Sequence, residues 1–170
     1  MSTRALVLAV ALALAAVAPP AAPAADPNIR WADVIGIVQA GNLVGSGTGR
    51  VTGGGQPWST TKGSATVNLN TGDIHFRVDG LVLAGGNGIG TRAGITEVKG
   101  TLVCDTDGSA DGGNSTLVDT PLVPLSAQGD AEFHGSVGPL PGACITEADI
   151  AFVVRIGAGR WIANGAVRRP

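Results

Sequence analysis

The chain has 170 residues, 11 of them lysine or arginine and 13 aspartate or glutamate, for a formal net charge of −2. Lysine occurs only at Lys62 and Lys99, and aromatic residues make up 4% of the chain, which excludes a basic, aromatic-bearing face for nucleic acid. The 27 glycines fall largely between short apolar runs, the composition of strands joined by turns.

The first predicted element is a targeting segment. Ser2, Thr3 and Arg4 form a short basic region, and Ala5 to Val17 is an unbroken apolar run. That run has the length of a signal-peptide core and is too short to span a bilayer comfortably. Pro19 and Pro20 break any helix, and Ala22-Pro23-Ala24 supplies small residues for cleavage before Ala25. Residues 1–24 therefore read as a signal peptide. No twin arginine precedes the run and no cysteine sits at the cleavage site, which argues for the general secretory route and against a lipid anchor. No second hydrophobic span follows, so no transmembrane segment is expected after cleavage. The expected product, residues 25–170, is a single secreted or periplasmic domain of about 145 residues, large enough for one core. The heavy use of alanine, glycine and arginine suggests a bacterial source.

Val34 to Ala40 is predicted as the first strand. The segment "GSGTGRVTGGGQP" (Gly45 to Pro57) is expected to be mobile, a long hairpin loop. From Lys62 to Leu69, Ala65, Val67 and Leu69 alternate with Ser64, Thr66 and Asn68. The turn "NTGD" (Asn70 to Asp73) leads into Ile74, Phe76 and Val78, which alternate with His75, Arg77 and Asp79. Two alternating runs joined by a glycine turn predict a hairpin. Ile95 to Asp105 predicts a strand with Val98, Leu102 and Cys104 on one face, and Thr116 to Thr120 a short one. Ala131, Phe133 and Val137 alternate with polar neighbours, as do Ile150, Phe152, Val154 and Ile156. After a Gly157–Gly159 turn, Trp161, Ala163 and Val167 mark the last strand. Pro139 and Pro141 favour a loop over a short helix between Leu140 and Glu147. No window beyond the signal carries a helical stripe. The fold class expected is all-β, an antiparallel sandwich or barrel of about seven to eight strands.

"GSATVNLNTGDIHFRVDGL" (Gly63 to Leu81) resembles the opening hairpin of CHRD-type domains, which are secreted all-β modules. "GDAEFHGSV" and "AFVVRIGAGRWIANGAV" are similar to the end of small exported bacterial proteins. Together these stretches cover about a third of the mature chain. CHRD domains carry a His-x-His segment soon after that hairpin. Here "AGGNGIGTRAG" stands in its place without a histidine. The resemblance implies an exported β-domain and supplies no activity.

Cys104 and Cys144 are the only cysteines. In an exported chain such a pair most simply forms one disulfide. The rival readings are a redox pair, which wants closer spacing, and metal thiolates, which want more ligands. "CDTDGSADGGN" (Cys104 to Asn114) places Asp105, Asp107 and Asp111 on a glycine-rich loop. Calcium takes hard oxygens from such loops, and Asn114 and carbonyls could add more. The loop lacks the bidentate glutamate that closes an EF-hand, and Asp-Gly is also ordinary turn chemistry. Calcium at Asp105, Asp107 and Asp111 is thus one expectation and a solvated turn the other.

His75 and His134 are the only histidines, and both fall on polar strand faces. They could meet across a sheet as metal ligands or as an acid–base unit. A nucleophilic triad would need an activated serine beside one of them, and no G-x-S-x-G elbow is present. Asp130, Glu132, Glu147 and Asp149 offer paired carboxylates for glycoside hydrolysis. Sugar sites want stacking aromatics, whereas this chain has no tyrosine and its tryptophans, Trp31, Trp58 and Trp161, are scattered. Trp161 is expected in the core and Trp58 as an exposed loop contact. "GSGTG" and "GGNGIG" lack the Lys-Ser/Thr and the following helix of phosphate loops. "NST" (Asn114 to Thr116) matches a glycosylation acceptor, which means little in a bacterium. The function expected is a non-enzymatic binding or structural module for an extracellular or envelope partner. The alternative is a metal-dependent or acid–base hydrolase on His75 and His134 with nearby carboxylates.

Overall fold

The computed structural model describes residues 26–110, 112–146 and 149–169. The signal peptide expected over residues 1–24, together with Asp111 and Glu147, lies outside the described residues. The strands are, in order, β1 (Asn28–Gly36), β2 (Leu43–Val44), β3 (Val51–Thr52), β4 (Trp58–Ser59), β5 (Lys62–Asn68), β6 (Asp73–Asp79) and β7 (Val82–Leu83). They continue with β8 (Glu97–Cys104), β9 (Thr116–Asp119), β10 (Val123–Pro124), β11 (Ala131–Ser136), β12 (Ala151–Ile156) and β13 (Trp161–Arg169). One helical turn, α1 (Gly142–Thr146), and a 3₁₀ turn at Gly47–Gly49 complete the described elements. Neither is long and apolar enough to cross a membrane.

The architecture is all-β and antiparallel, as the alternation predicts. One sheet runs β10-β8-β12-β13-β1-β5-β6-β11, with β9 also paired to β8, and it curls into a half-barrel. The "NTGD" turn joins β5 and β6 as expected, with Lys62 opposite Asp79 and Val67 opposite Ile74. The Asn68 side chain caps it, accepting from the Asn70 and Thr71 amides at 3.0 and 3.1 Å.

The inside of the curl is the core. Ile74, Phe76 and Val78 are wholly buried on β6, as are Val98 and Leu102 on β8. Phe152 lies between Trp31 and Phe76, with ring centroids 5.6 Å from each. Burying a side chain of this size contributes about 1.5–3 kcal/mol. Gly100 is what admits the two phenyl rings. A Cβ there would stand 2.8 Å from Phe76 and 3.0 Å from Phe152.

Several expectations are corrected. The first strand spans Asn28–Gly36 rather than Val34 to Ala40, because Ile29 and Trp31 already point into the core while Val38 is exposed. The Gly45 to Pro57 segment is built into the fold. β2 pairs with β3 across the 3₁₀ turn. The Gly53 amide bonds to the Asn42 carbonyl at 2.7 Å, and the Gly54 amide to that of Trp161 at 2.8 Å. This segment lies against the outer face of the sheet, where a Cβ on Gly45 would meet Val103 at 2.9 Å. That cover helps to bury Val103, while Thr101 is buried with its hydroxyl on Asp119. Trp58 is buried, held by its β4 pairing with Leu83, and is not an exposed contact. Trp161 is buried as expected, but Val167 is exposed. Gly142–Thr146 is helical despite the flanking prolines. Pro141 lies just outside the turn, and its carbonyl accepts the Cys144 amide at 2.9 Å.

Candidate functional site

Two polar constellations stand out, one at the disulfide and one on the face of β6 and β11. Cys104 ends β8 and Cys144 sits on α1, and the two are joined, closing 40 residues. Both are fully buried, and no cysteine is free. The bridge draws together the segments that follow each cysteine. Asp105 and Asp107 thereby meet Asp149, with one carboxylate oxygen of each within 4.8 Å of the others. Asp111 lies outside the described residues, so the third carboxylate of the observed cluster is Asp149. The sequence offered Asp149 only as a glycosidase carboxylate.

The loop from Asp105 is wired by its own acids. Asp105 is fully buried and left-handed at φ 55°, a conformation aspartate tolerates better than most residues. Its carboxylate accepts the Ala110 amide at 3.0 Å, and its carbonyl accepts the Ser115 hydroxyl at 2.8 Å. The Asp149 carboxylate accepts the Thr106 hydroxyl at 3.1 Å and the Asp107 amide at 3.2 Å. Asp107 accepts the Ser109 amide at 2.9 Å.

A second loop is stitched onto this one. Ser115 Oγ accepts the Ser46 amide at 2.7 Å, and Asn114 Oδ1 accepts the Thr48 amide at 2.9 Å and its hydroxyl at 3.1 Å. The backbones touch at Gly49, where a Cβ would fall 1.7 Å from the Ser115 carbonyl oxygen. The glycines of "GSGTG" thus serve loop-on-loop packing. The 45–49 and 105–115 segments form one platform, with Thr48, Asp107 and Ser109 exposed on it.

The histidines meet. His75 on β6 is the direct cross-strand partner of His134 on β11, and the ring centroids are 5.2 Å apart at a tilt of 46°. His75 Nε2 lies 3.1 Å from Glu132 Oε1, and both residues are exposed. Asn28, Thr66, Asn68 and Asp73 line a shallow depression with the two rings. Neither histidine is hydrogen-bonded to a hydroxyl or thiol among the described residues. Of the four carboxylates weighed for glycoside hydrolysis, the three described do not converge on one site. Asp130 and Glu132 share a depression with Arg77 and Asp79, Asp149 belongs to the disulfide end, and Glu147 is outside the described residues.

A third polar group is an ion-pair network on the outer face. Asp119 on β9 pairs with Lys99, and with Arg155 at 3.1 Å, and accepts the Thr101 hydroxyl at 2.6 Å. Partial burial disfavours its charge, but the bonds from Lys99 and Thr101 and the charges of Arg155 and Lys99 outweigh this. They hold the carboxyl below its ordinary value of 3.8.

No protein-family model, curated protein or solved structure matches this chain.

Proposed function

We propose that this chain is an exported, non-enzymatic binding or structural module that meets an extracellular or envelope partner through the loop platform. The observation that carries this reading is the stitching of the 45–49 loop to the 105–115 loop beside a buried disulfide. Loops fixed in advance lose little entropy on binding, which is how a rigid scaffold makes a tight contact. Both cysteines are consumed by the bridge, which leaves neither as a nucleophile. Calcium on the acids of the platform is the form of this reading that the convergence of Asp105, Asp107 and Asp149 favours.

The second reading is a metal-dependent or acid–base hydrolase on His75 and His134, favoured by the contact between the two rings. One experiment separates the two readings. The mature protein is assayed against ester, phosphate and glycoside chromogenic substrates with and without zinc, and for saturable retention on envelope fractions of the producing cell. The module reading expects retention and no turnover. Turnover that disappears in His75→Ala or His134→Ala would overturn it.

A further inference from the structure

We propose that Arg50, Arg155 and Arg160 form a binding site for a phosphate dianion, free or as a phosphomonoester, beside the turn between β12 and β13. The three side chains line one open depression, although Arg50 is far from the others in sequence. Arg155 lies near the end of β12, Arg160 just before β13, and Arg50 just before β3. Two contacts bring these segments together. The Gly54 amide bonds to the Trp161 carbonyl at 2.8 Å, and Arg160 Nη1 reaches across to the Gly53 carbonyl at 3.0 Å.

The arginines are positioned without being neutralised. Arg160 is tethered by a neutral carbonyl, and Arg155 donates from Nε to the Gly159 carbonyl at 2.8 Å. Arg155 also pairs with Asp119 at 3.1 Å, the one carboxylate that touches any of the three among the described residues, and Lys99 shares it. The Arg50 side chain has no hydrogen bond or ion pair among the described residues. A guanidinium has more N–H donors than these bonds use, so each arginine keeps donors for a ligand. Glu97 lines the neighbouring depression and not this one. Four cations, Arg50, Lys99, Arg155 and Arg160, are thus set against one carboxylate, in a chain whose formal net charge is −2.

That surplus selects the ligand. The planar fork of arginine matches phosphate oxygens in pairs. A phosphomonoester carries about 1.5–2 negative charges near neutral pH and has acceptor oxygens enough for several forks at once, whereas a carboxylate carries less charge and fewer oxygens. Thr52 adds an exposed hydroxyl to the lining. No aromatic side chain lines the depression, so a nucleic-acid base has nothing to stack on. Side chains already tethered lose little rotamer freedom on binding. The site depends neither on the acids of the loop platform nor on the histidines.

Isotope-labelled mature protein is titrated at neutral pH and constant ionic strength with inorganic phosphate, with glycerol 3-phosphate and with acetate, and the amide resonances are followed by NMR. The expected result is one saturable site for phosphate, with the largest shifts at residues 50–52 and 158–160, and no saturation by acetate. Glycerol 3-phosphate that binds at least as well as phosphate assigns the site to esters; phosphate alone assigns it to the free anion, and either result supports the site. Arg50→Gln and Arg160→Gln should each weaken binding about tenfold or more, the cost of losing a charged hydrogen-bond donor. Arg50→Lys should fall between Arg50→Gln and wild type, since it keeps the charge and loses the fork. Arg77→Gln, in another depression, should change nothing. Arg50, Arg77 and Arg160 are exposed, so the variants should keep the parent circular dichroism. No saturable phosphate binding, equal binding of acetate, affinity unchanged in both Arg50→Gln and Arg160→Gln, or an equal loss in Arg77→Gln would each overturn the proposal.

Discussion

Reducing the Cys104–Cys144 bridge should lower the melting point by about 13 °C. In the chain-entropy account, a bridge closing 40 residues removes about 13 cal/mol/K from the unfolded ensemble, or about 3.9 kcal/mol at 25 °C. Unfolding entropy is about 2.1 cal/mol/K per residue, so a domain of about 145 residues gains about 0.3 kcal/mol/K at its midpoint. Dividing the two gives the shift. Both sulfurs are buried, so reductant will not reach them in the native state. The protein should be reduced in denaturant, refolded with reductant present, and melted beside the oxidised form by circular dichroism. Mass spectrometry after alkylation confirms two free thiols in one sample and none in the other. A shift below about 3 °C, or free thiols in the oxidised protein, would refute the reasoning. Amide exchange should also show the loss concentrated where the bridge acts. The Thr106 and Asp107 amides, held by Asp149, should open first.

Gly100→Ala should destabilise the fold by about 1–3 kcal/mol, because its Cβ would press on two core rings that cannot both retreat; a denaturant melt within 0.5 kcal/mol of wild type would contradict the packing described. Asp119 has a lowered folded pKa, so its contribution is fully present above 3.8 and is lost as pH falls through the still lower folded value. Asp119→Asn should therefore be less stable than wild type at pH 6, and the gap should close in acid. A pH series of melts in which the gap widens in acid would reverse that sign. In about 2 mM calcium the oxidised protein should melt higher than in EDTA, and Asp107→Asn should abolish the rise. Superimposable melts would leave the acids as hydrogen-bond acceptors for the loop.

The strands were legible where one face is buried and the other wet. Ile74, Phe76 and Val78 alternate with His75, Arg77 and Asp79, and period two could mean only one thing there. Boundaries failed where segments far apart in sequence cover a strand. Val103 loses its alternation because Gly45 lies over it, a contact that no local window contains. The same cover makes a glycine-rich stretch ordered, since its glycines permit close approach to Ser115 rather than freedom. Trp58 followed a proline and read as exposed, yet its pairing with Leu83 is a tertiary fact. At the disulfide the signal was present and unused. Once Cys104 and Cys144 are bridged, the residues just after each must meet, which brings Asp149 to Asp105. The histidine contact was foreseeable only as one option, because pairing β11 with β6 sets the register, and that pairing is not local.

The most direct test of the loop platform as the working end is equilibrium retention of labelled mature protein on envelope fractions of the producing cell. Three forms are compared: wild type, Thr48→Arg and His75→Ala. Thr48→Arg puts a bulky charge on the platform and keeps the amide bond to Asn114. The account expects saturable retention of wild type and His75→Ala, with at least a tenfold loss in Thr48→Arg. Retention unchanged in Thr48→Arg, or lost only in His75→Ala, would contradict it and move the working surface to the face of β6 and β11.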